Sequence, residues 1–500
     1  MRISPLALAL SLASCSAFGA AQRPDERDEF FWLGEINKAT AVINTDEGLL
    51  DRSLSGPIAA AIARVIADGA QPGAKRPSSV ITFEPLLIKA AGPDVTLLHA
   101  GRSSQDMHAM YRAAMLRDEM LDLAEQLNLT AGTLVEMAAK HAETIVPNYT
   151  NGVAAQPNSL GHNLLGHAAG LDRDAERIRE AYVRIDRSPM GTTVLNGTSW
   201  PLDRSRMADY LGFAAIVDNA YDAAQISSMD EPVEAAAIVT SIALHTGNFV
   251  QDVMTQYAQT RPWMLLQEGG ENTYVSSAMP QKRNPGLLNR TRQDASTAVT
   301  LAMGVVIQMH NITPGMPDPK EVEASAAMIR SGVAVLKDWN KVLKALVISP
   351  ARALEELNSD WTASQELADV LMRKYKIPFR VGHHFASEVV EFARTRDIKP
   401  LDFPYAEASR IYTKSVSGSK YPAQLPMSEA EFRSTLDPAA IVRNRATIGG
   451  PQPVEMERML LASRTRLNQQ SEWIARRRAR ISESLTRLDA DFQKLLTGAR

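Results

Sequence analysis

The 500-residue chain has one cysteine, few aromatic residues and almost no net charge. A lone cysteine, Cys15, excludes a disulfide within the chain. A formal charge of −3 gives no strong electrostatic field, which argues against nucleic acid or a membrane surface as a partner. Aromatic residues make up only 6% while alanine is abundant, and this composition favours helices over sheets.

Motifs for metal ligation are also missing. The sequence has no HExxH, no CxxC and no carboxylate–histidine cluster at ligand spacing. We therefore predict neither a metal site nor a bound cofactor. With 45% hydrophobic and 22% charged residues, the composition is that of an ordinary globular protein, long enough for a large core or several domains.

Residues 1–21 have the pattern of a secretory signal peptide. Arg2 precedes the apolar run PLALALSLASCSAFGA, which is too short to span a bilayer and ends in small residues. The pattern predicts export to the periplasm, and a buried first helix is the alternative interpretation. The stretch LASC also resembles a lipobox, so a lipoprotein anchored through Cys15 competes with a soluble product cut near AFGAA.

Helical periodicity covers most of the chain. Residues 232–257 place apolar side chains at three- and four-residue steps, with small residues on the other faces, which is typical of a helix buried in a large bundle or against other subunits. Ser228 and Glu231 match a capping box just before it. Further helices are predicted at 105–142, 160–185, 287–311, 320–348, 364–397, 428–437 and 452–496. Only VITFEPLLI, at 80–88, is a fair strand candidate.

The segment YVSSAMPQKRNPG, at 274–286, carries candidate chemistry. Pro280 and Pro285 exclude a regular helix, so the segment is expected to be a loop. Ser276 offers a hydroxyl, Lys282 a cation and Asn284 an amide donor. Such a set suits abstraction of a proton next to a carboxylate, because donors and a cation stabilise the negative charge that builds up. A surface loop rich in turn residues is the alternative.

The same segment resembles a family signature. SSAMPQKRNP is similar to the GSSxMPxKxNP motif of the fumarase/aspartase superfamily, with Val275 in place of the first glycine. Other segments resemble the argininosuccinate lyase branch of that superfamily, and the likeness runs from about residue 30 to about residue 470. These segments are LHAGRSSQDMHA at 98–109, PNYTNGVAAQP at 147–157, SPMGTTVLNGTSWPLDRSRMADYLGF at 188–213, PFRVGHHFASEVVEFA at 378–393 and LDPAAIVRNRATIGG at 436–450.

This resemblance implies an all-α fold of three mostly helical domains, with a long central helical bundle completed by homotetramerisation. We place these domains at 22–105, 106–350 and 351–500. The resemblance further implies active sites shared between subunits and anti elimination from a small dicarboxylate, usually with release of fumarate and without a metal.

Site residues follow from the matched motifs. The resemblance assigns Ser276 as the base that takes the Cβ proton, with Lys282 and Asn284 holding the carboxylate and the intermediate. The remaining candidates are Thr150 and Asn151 as catalytic positions, and Arg102, Ser103, Ser104, Gln105, Gln156, Ser277 and Lys320 as substrate-binding positions. Ser103, Gln105 and Asp106 have an alternative role as residues that cap the helix after them.

Three segments depart from the family pattern. Asn151 stands where the family has a histidine that helps to protonate the leaving group, and an amide cannot do this. SSMD at 227–230 puts Met229 where an arginine is expected, and TPGMPDPKE at 313–321 replaces a substrate-side stretch. These changes make argininosuccinate itself an unexpected substrate.

We therefore predict an exported lyase that releases fumarate from an N-substituted aspartate or related dicarboxylate. A catalytically silent homologue with a binding or structural role is the alternative. A hydrolase or transferase that uses Ser276 as a nucleophile lacks a paired His-Asp arrangement in the sequence. His99, directly before the GRS segment at 101–103, is the histidine to watch as a replacement acid, whereas His162, His167 and His310 are expected to be structural.

Overall fold

A computed structural model describes residues 27–315 and 322–498, and it confirms the predicted all-α class. The predicted signal peptide, Cys15 and Lys320 lie outside the described residues. The helices are α1 Glu29–Asp46, α2 Arg52–Gly69, α3 Val80–Ala91, α4 Ser104–Lys140, α5 Leu160–Ile185, α6 Arg204–Tyr210, α7 Ser227–Tyr257, α8 Gly286–Gln308, α9 Val322–Ala345, α10 Pro350–Ser359, α11 Ser364–Tyr375, α12 Phe379–Arg394, α13 Tyr405–Ser415, α14 Glu429–Leu436, α15 Pro438–Arg443 and α16 Pro453–Thr497.

Strands occur as four two-stranded sheets that connect helices. The strands are β1 Ile145–Thr150, β2 Val153–Ser159, β3 Arg187–Ser188, β4 Ala215–Ile216, β5 Met264–Leu266, β6 Tyr274–Val275, β7 Arg283–Asn284 and β8 Leu346–Ile348. The sheets pair β1 with β2, β5 with β8 and β6 with β7 in antiparallel fashion, and β3 with β4 in parallel fashion.

The centre of the molecule is a bundle of α4, α5, α7, α8 and α9. Helix α4 packs on α5 and α9, while α7 packs on α5 and α8. Their shared core contains Met120, Leu171, Ile242 and Trp339, all nearly inaccessible to solvent. Burial of these side chains stabilises the fold by roughly 1.5–3 kcal/mol each, so the bundle provides the rigid frame for the loops at its ends.

The strand predicted at 80–88 is wrong, because these residues form the helix α3. Val80, Phe83 and Leu87 are buried and recur at steps of three and four, so one helical face packs on the core while Ile81 is 76% exposed. β-branched residues suit strands only where their side chains pack on a pleated surface, and tertiary packing overrides that preference here.

The predicted capping box at Ser228 and Glu231 is also wrong. A π-helical turn, Asp222–Ile226, leads directly into α7, and the Ser228 hydroxyl donates to the carbonyl of Ala224. By length and composition alone, the helix over Asp222–Tyr257 is apolar enough to cross a membrane, but half of its most apolar window is buried inside the protein. It is therefore packed as a core helix of the bundle.

Two further apolar clusters flank the bundle. One joins α1, α2 and α3 with the start of α4 and the end of α16, and it contains Trp32 and Phe213. The other is built by α11 to α14 and contains Phe385 and Phe403. Helix α16 runs along α4 and returns to α1 and α2. The domain boundaries given above stay predictions.

Candidate functional site

The loop that carries Ser276 is the tip of a short hairpin. Tyr274 pairs with Asn284 and Val275 pairs with Arg283, which brings the two ends of the motif side by side. The two prolines stop a helix, so the chain closes the loop instead with backbone bonds from the Ser276 N–H to the Lys282 carbonyl, at 3.3 Å, and from the Lys282 N–H to the Met279 carbonyl, at 3.0 Å.

Two backbone donors point at the hydroxyl oxygen of Ser276. The N–H groups of Ala278 and Met279 lie 3.3 and 3.1 Å from Oγ. Serine often accepts such bonds in turns, so local folding explains the geometry. The same donors stabilise negative charge on Oγ, which is what a serine needs in order to act as a base.

Arg283 fixes this loop, and the sequence reasoning missed it. Its guanidinium pairs with Glu268 at 3.1 Å and donates to the carbonyls of Pro280 and Lys282. The ammonium of Lys282 is exposed, and the Asn284 amide makes a 3.4 Å bond to the Tyr274 carbonyl. Ser277 is exposed beside Ser276. The structure thus brings Ser276, Ser277, Lys282 and Asn284 onto one small, solvent-facing loop.

Thr150 and Asn151 lie at the tip of the β1–β2 hairpin. Thr150 pairs with Val153, leaving Asn151 and Gly152 as a two-residue turn with φ of 53° and 78°. Positive φ at both positions is the type I′ arrangement, for which Asn-Gly is strongly preferred. This dipeptide is a sequence signal for a hairpin that the strand prediction overlooked.

Gln156, further along β2, forms side-chain hydrogen bonds within its own chain. Its side-chain amide donates to Gln365 and its oxygen accepts from Arg445 at 3.2 Å. Arg445 also lies 3.6 Å from Glu366. Through Gln365 and Glu366, these contacts connect the hairpin to α11. The substrate role of Gln156 stays a prediction.

Arg102 is buried rather than open to solvent. Its guanidinium donates to Thr40 at 3.0 Å and Asn37 at 2.8 Å, both on α1, while its Nε has no partner among the described residues. Burial lowers the pKa of Arg102 to about 10. The side chain braces the loop against α1, and its predicted contact with a substrate anion stays a prediction.

Ser103 and Asp106 form a capping box at the start of α4. Asp106 accepts from the Ser103 N–H at 2.6 Å, and Ser103 accepts from the Gln105 N–H at 3.3 Å. Asp106 also accepts from three consecutive N–H groups, those of 191–193, at 3.1 to 3.3 Å. The structural role expected for Asp106 is therefore present. Ser104 and Gln105 are half-buried in the first helical turn.

These segments occupy two ends of the bundle. Ser104 begins α4, whereas the β1–β2 hairpin follows its end. With 37 residues at 1.5 Å each, α4 is about 55 Å long. The Ser276 loop belongs to the hairpin end, because Trp263, which precedes β5, donates to Tyr149 at 3.0 Å. Within one chain, the structure therefore separates the GRS segment, with Ser104 and Gln105, from the Ser276 loop and the β1–β2 hairpin.

Three of the four candidate histidines are hydrogen-bonded through their rings within the chain. His99 lies 2.8 Å from Glu84, His167 lies 2.9 Å from Asp252, and His162 contacts the Gly449 carbonyl at 2.9 Å. Across residues 27–315 and 322–498, no group of three His, Cys, Asp or Glu side chains is arranged to hold a metal ion.

Comparisons with known proteins agree with this architecture. A family model described as lyase matches residues 58–300, and one described as argininosuccinate lyase C-terminal matches 361–443. The argininosuccinate lyase of Methanosarcina acetivorans is 29% identical over 83% of this chain and 81% of its own length. That of Methanothrix thermoacetophila is 26% identical over 94% of this chain and 95% of its own length.

Solved structures share the fold. The crystal structure of EDDS lyase with formate has a TM-score of 0.83 at 24% identity, covering 94% of this chain and 92% of that one. A fumarate lyase from Mesorhizobium sp. BNC1 has a TM-score of 0.66 at 15% identity, covering 86% and 95%. Together, the motif loop, the helical bundle and both family matches identify this chain as a member of the fumarase/aspartase superfamily, in its argininosuccinate lyase-like branch.

Proposed function

We propose that this chain is a carbon–nitrogen lyase that converts an N-substituted aspartate, or a related β-substituted dicarboxylate, into fumarate and an amine. The observation that carries the proposal is the Ser276 loop, where two backbone N–H groups donate to one hydroxyl oxygen and the same loop carries Lys282 and Asn284. Argininosuccinate lyases among the sequence relatives and EDDS lyase among the structural neighbours support this reaction class.

The chemistry follows from charge. Ser276, as an alkoxide, takes the Cβ proton, and the electron pair moves into the neighbouring carboxylate, which gains negative charge. Lys282 and Asn284 stabilise that charge, each by the few kcal/mol typical of a preorganised donor, roughly 3–4. The C–N bond then breaks with its electrons on nitrogen, the amine takes up a proton, and fumarate remains.

Argininosuccinate is not the substrate we propose. Met229 has no charge with which to hold a third carboxylate, and it is half-buried, with its sulfur 3.9 Å from the Gln225 amide. Asn151 further indicates an amine that leaves without help from a histidine at this position. Both residues favour an N-substituted aspartate with a different amine.

The active enzyme, in this proposal, is a homotetramer whose sites combine segments of different subunits. The length of α4, about 55 Å, keeps the GRS segment away from Ser276 within one chain, so only a neighbouring copy can supply it. Apolar side chains on the bundle, among them Leu244, Met303 and Ile307, are 52–68% exposed in one chain and would be covered by other subunits.

Export to the periplasm completes the proposal, supported by the signal-like pattern of residues 1–21, with a lipoprotein anchored through Cys15 as the alternative product. A silent homologue is the second candidate function. Asn151 favours it, because this residue serves the type I′ turn without offering a proton.

Fumarate absorbance tests the two candidates directly. The purified mature protein is mixed with a panel of N-substituted aspartates, and with fumarate plus amines, beside Ser276→Ala. Turnover that disappears in Ser276→Ala supports the lyase. Absence of turnover across the panel, from a folded tetramer, overturns it in favour of the silent homologue.

A further inference from the structure

A cavity outside the predicted site residues lies between α4, α7 and α9. It offers about 40 Å³ to the centres of water molecules, and it opens to solvent. Its walls are mainly apolar, with Leu116, Met309, Ala326 and Ile329 among them. Most ligand pockets combine such walls with a few placed polar groups. Here the charged groups on the walls are Glu231, Glu119 and Arg112.

Glu231 is a buried carboxylate without a donor. It is only 7% exposed, and no hydrogen bond or ion pair joins it to another residue in the described ranges. Ser227 and Ser228 share its face of α7, one turn away, but their hydroxyls donate to the carbonyls of Asp222 and Ala224. The hydroxyl protons of these two serines are therefore used by the backbone.

The charges around Glu231 are negative. Burial raises its pKa well above the usual value, and Asp222, Asp230 and Glu234 push the pKa in the same direction. A buried ionised carboxylate is costly unless it is paired, and no cation among the described residues pairs with Glu231.

The other two charged wall residues do not fill that role. Glu119 pairs with Arg330 at 3.1 Å, and burial raises the pKa of Glu119 to about 7. The Arg112 guanidinium lies 6.0 Å from the centre of the Tyr111 ring, and Arg112 is not among the charges that shift the pKa of Glu231. The cavity thus presents the Glu231 carboxylate, which has no partner in the described ranges, on a mainly apolar wall that also carries serine hydroxyls.

We propose that this cavity binds a small organic ammonium, with the charged nitrogen at Glu231 and the alkyl portion against the apolar wall. The ammonium supplies the missing donor and countercharge, and the alkyl group removes apolar wall from water. A metal ion fits poorly, because three ligating side chains do not meet within the described residues. The π-helical turn Asp222–Ile226 next to the cavity is a feature often found at functional sites.

Titration calorimetry with n-butylammonium and uncharged n-butanol tests this binding without reference to turnover. The mature protein is expected to bind the ammonium and to bind the alcohol far more weakly. Glu231→Gln, which keeps shape and removes charge, is expected to weaken ammonium binding by about 10- to 100-fold, the size of one charge-assisted hydrogen bond. The matched control Asp230→Asn removes an exposed charge on the same helix and is expected to change affinity less than about threefold.

Equal binding of alcohol and ammonium, equal affinity in Glu231→Gln, or no binding to the wild-type protein would each overturn the proposal. Two sources share this ligand chemistry: the amine of the proposed reaction and a separate amine. For the first, Glu231→Gln raises the KM for amine in the addition reaction and leaves the KM for fumarate unchanged. If the ligand is a separate amine, Glu231→Gln loses ammonium binding while the KM values for amine and fumarate stay unchanged.

Discussion

The backbone N–H of Met279 donates to the hydroxyl oxygen of Ser276 across 3.1 Å. The Ala278 N–H reaches the same oxygen at 3.3 Å. Because both donors belong to the loop itself, they are in position to stabilise negative charge on this oxygen before any substrate binds. This arrangement links the local fold of the loop to the base that the proposed elimination requires.

Removing the hydroxyl tests that link. Ser276→Ala is expected to lower kcat/KM by at least about 10²–10⁴-fold, the usual contribution of a general base, with little change in thermal stability, because the hydroxyl oxygen only accepts bonds on a solvent-facing loop. Initial rates of fumarate formation measure it. Gln281→Ala, an exposed change in the same loop, serves as the control, and comparable losses in both variants would contradict a special role for Ser276.

Asn151→His tests the missing acid. Histidine tolerates the positive φ of this turn better than most residues, so the variant is expected to fold and to increase turnover, by up to about 10²-fold, through protonation of the amine. Rates are compared with those of Asn151→Gly, which keeps the turn but supplies no proton. A rate no higher than that of the glycine variant would show that the leaving group needs no acid here.

The capping carboxylate makes a stability prediction. Asp106→Asn loses charge-assisted bonds from Ser103 and from the N–H groups of 191–193, so the free energy of unfolding is expected to fall by about 2–4 kcal/mol. Urea unfolding measures it. Asp94→Asn, an exposed position, is expected to have an effect below about 0.5 kcal/mol.

Glu35 makes a pH prediction. Burial raises the pKa of Glu35 to about 7 despite its 2.7 Å ion pair with Lys38. Between the ordinary value, 4.5, and about 7, the folded state binds more protons than the unfolded state, so this group lowers stability as pH rises through that window. As pH rises through this window, the free energy of unfolding of Glu35→Gln is expected to increase relative to wild type by up to about 3 kcal/mol. Above the window, this difference is expected to stay constant. Chemical unfolding at several pH values measures the difference, and a difference that stays constant with pH would contradict the assignment.

A charged residue introduced on the exposed face of the bundle tests whether this face forms the tetramer interface. Ile307, 68% exposed on α8, is expected to contact another subunit, so Ile307→Asp should reduce the tetramer measured by light scattering to smaller species and abolish fumarate release. Ile448→Asp is the control, because Ile448 is 85% exposed in a loop outside the bundle. A tetramer that survives Ile307→Asp would remove this face from the interface.

Local features of the site could be read from the sequence. Apolar spacing predicts α5 at its observed ends, 160 and 185, because each helical turn repeats its contacts every three to four residues. The Asn151-Gly152 pair determines its own turn, since both residues accept positive φ. The two prolines and Ser276 likewise determine a loop in which the hydrogen-bond partners of Ser276 lie at most six positions away.

Only the tertiary structure decided the features that depend on distant parts of the chain. Residues 80–88 form a helix because Phe83 packs on the core. The backbone N–H groups of 191–193 reach Asp106 only in the folded chain. The tertiary structure also buried Glu231, for which the described residues provide no hydrogen-bond donor. The physical reason is that local hydrogen bonds are encoded by neighbours in sequence, whereas burial and charge environment arise from helices that meet across hundreds of residues.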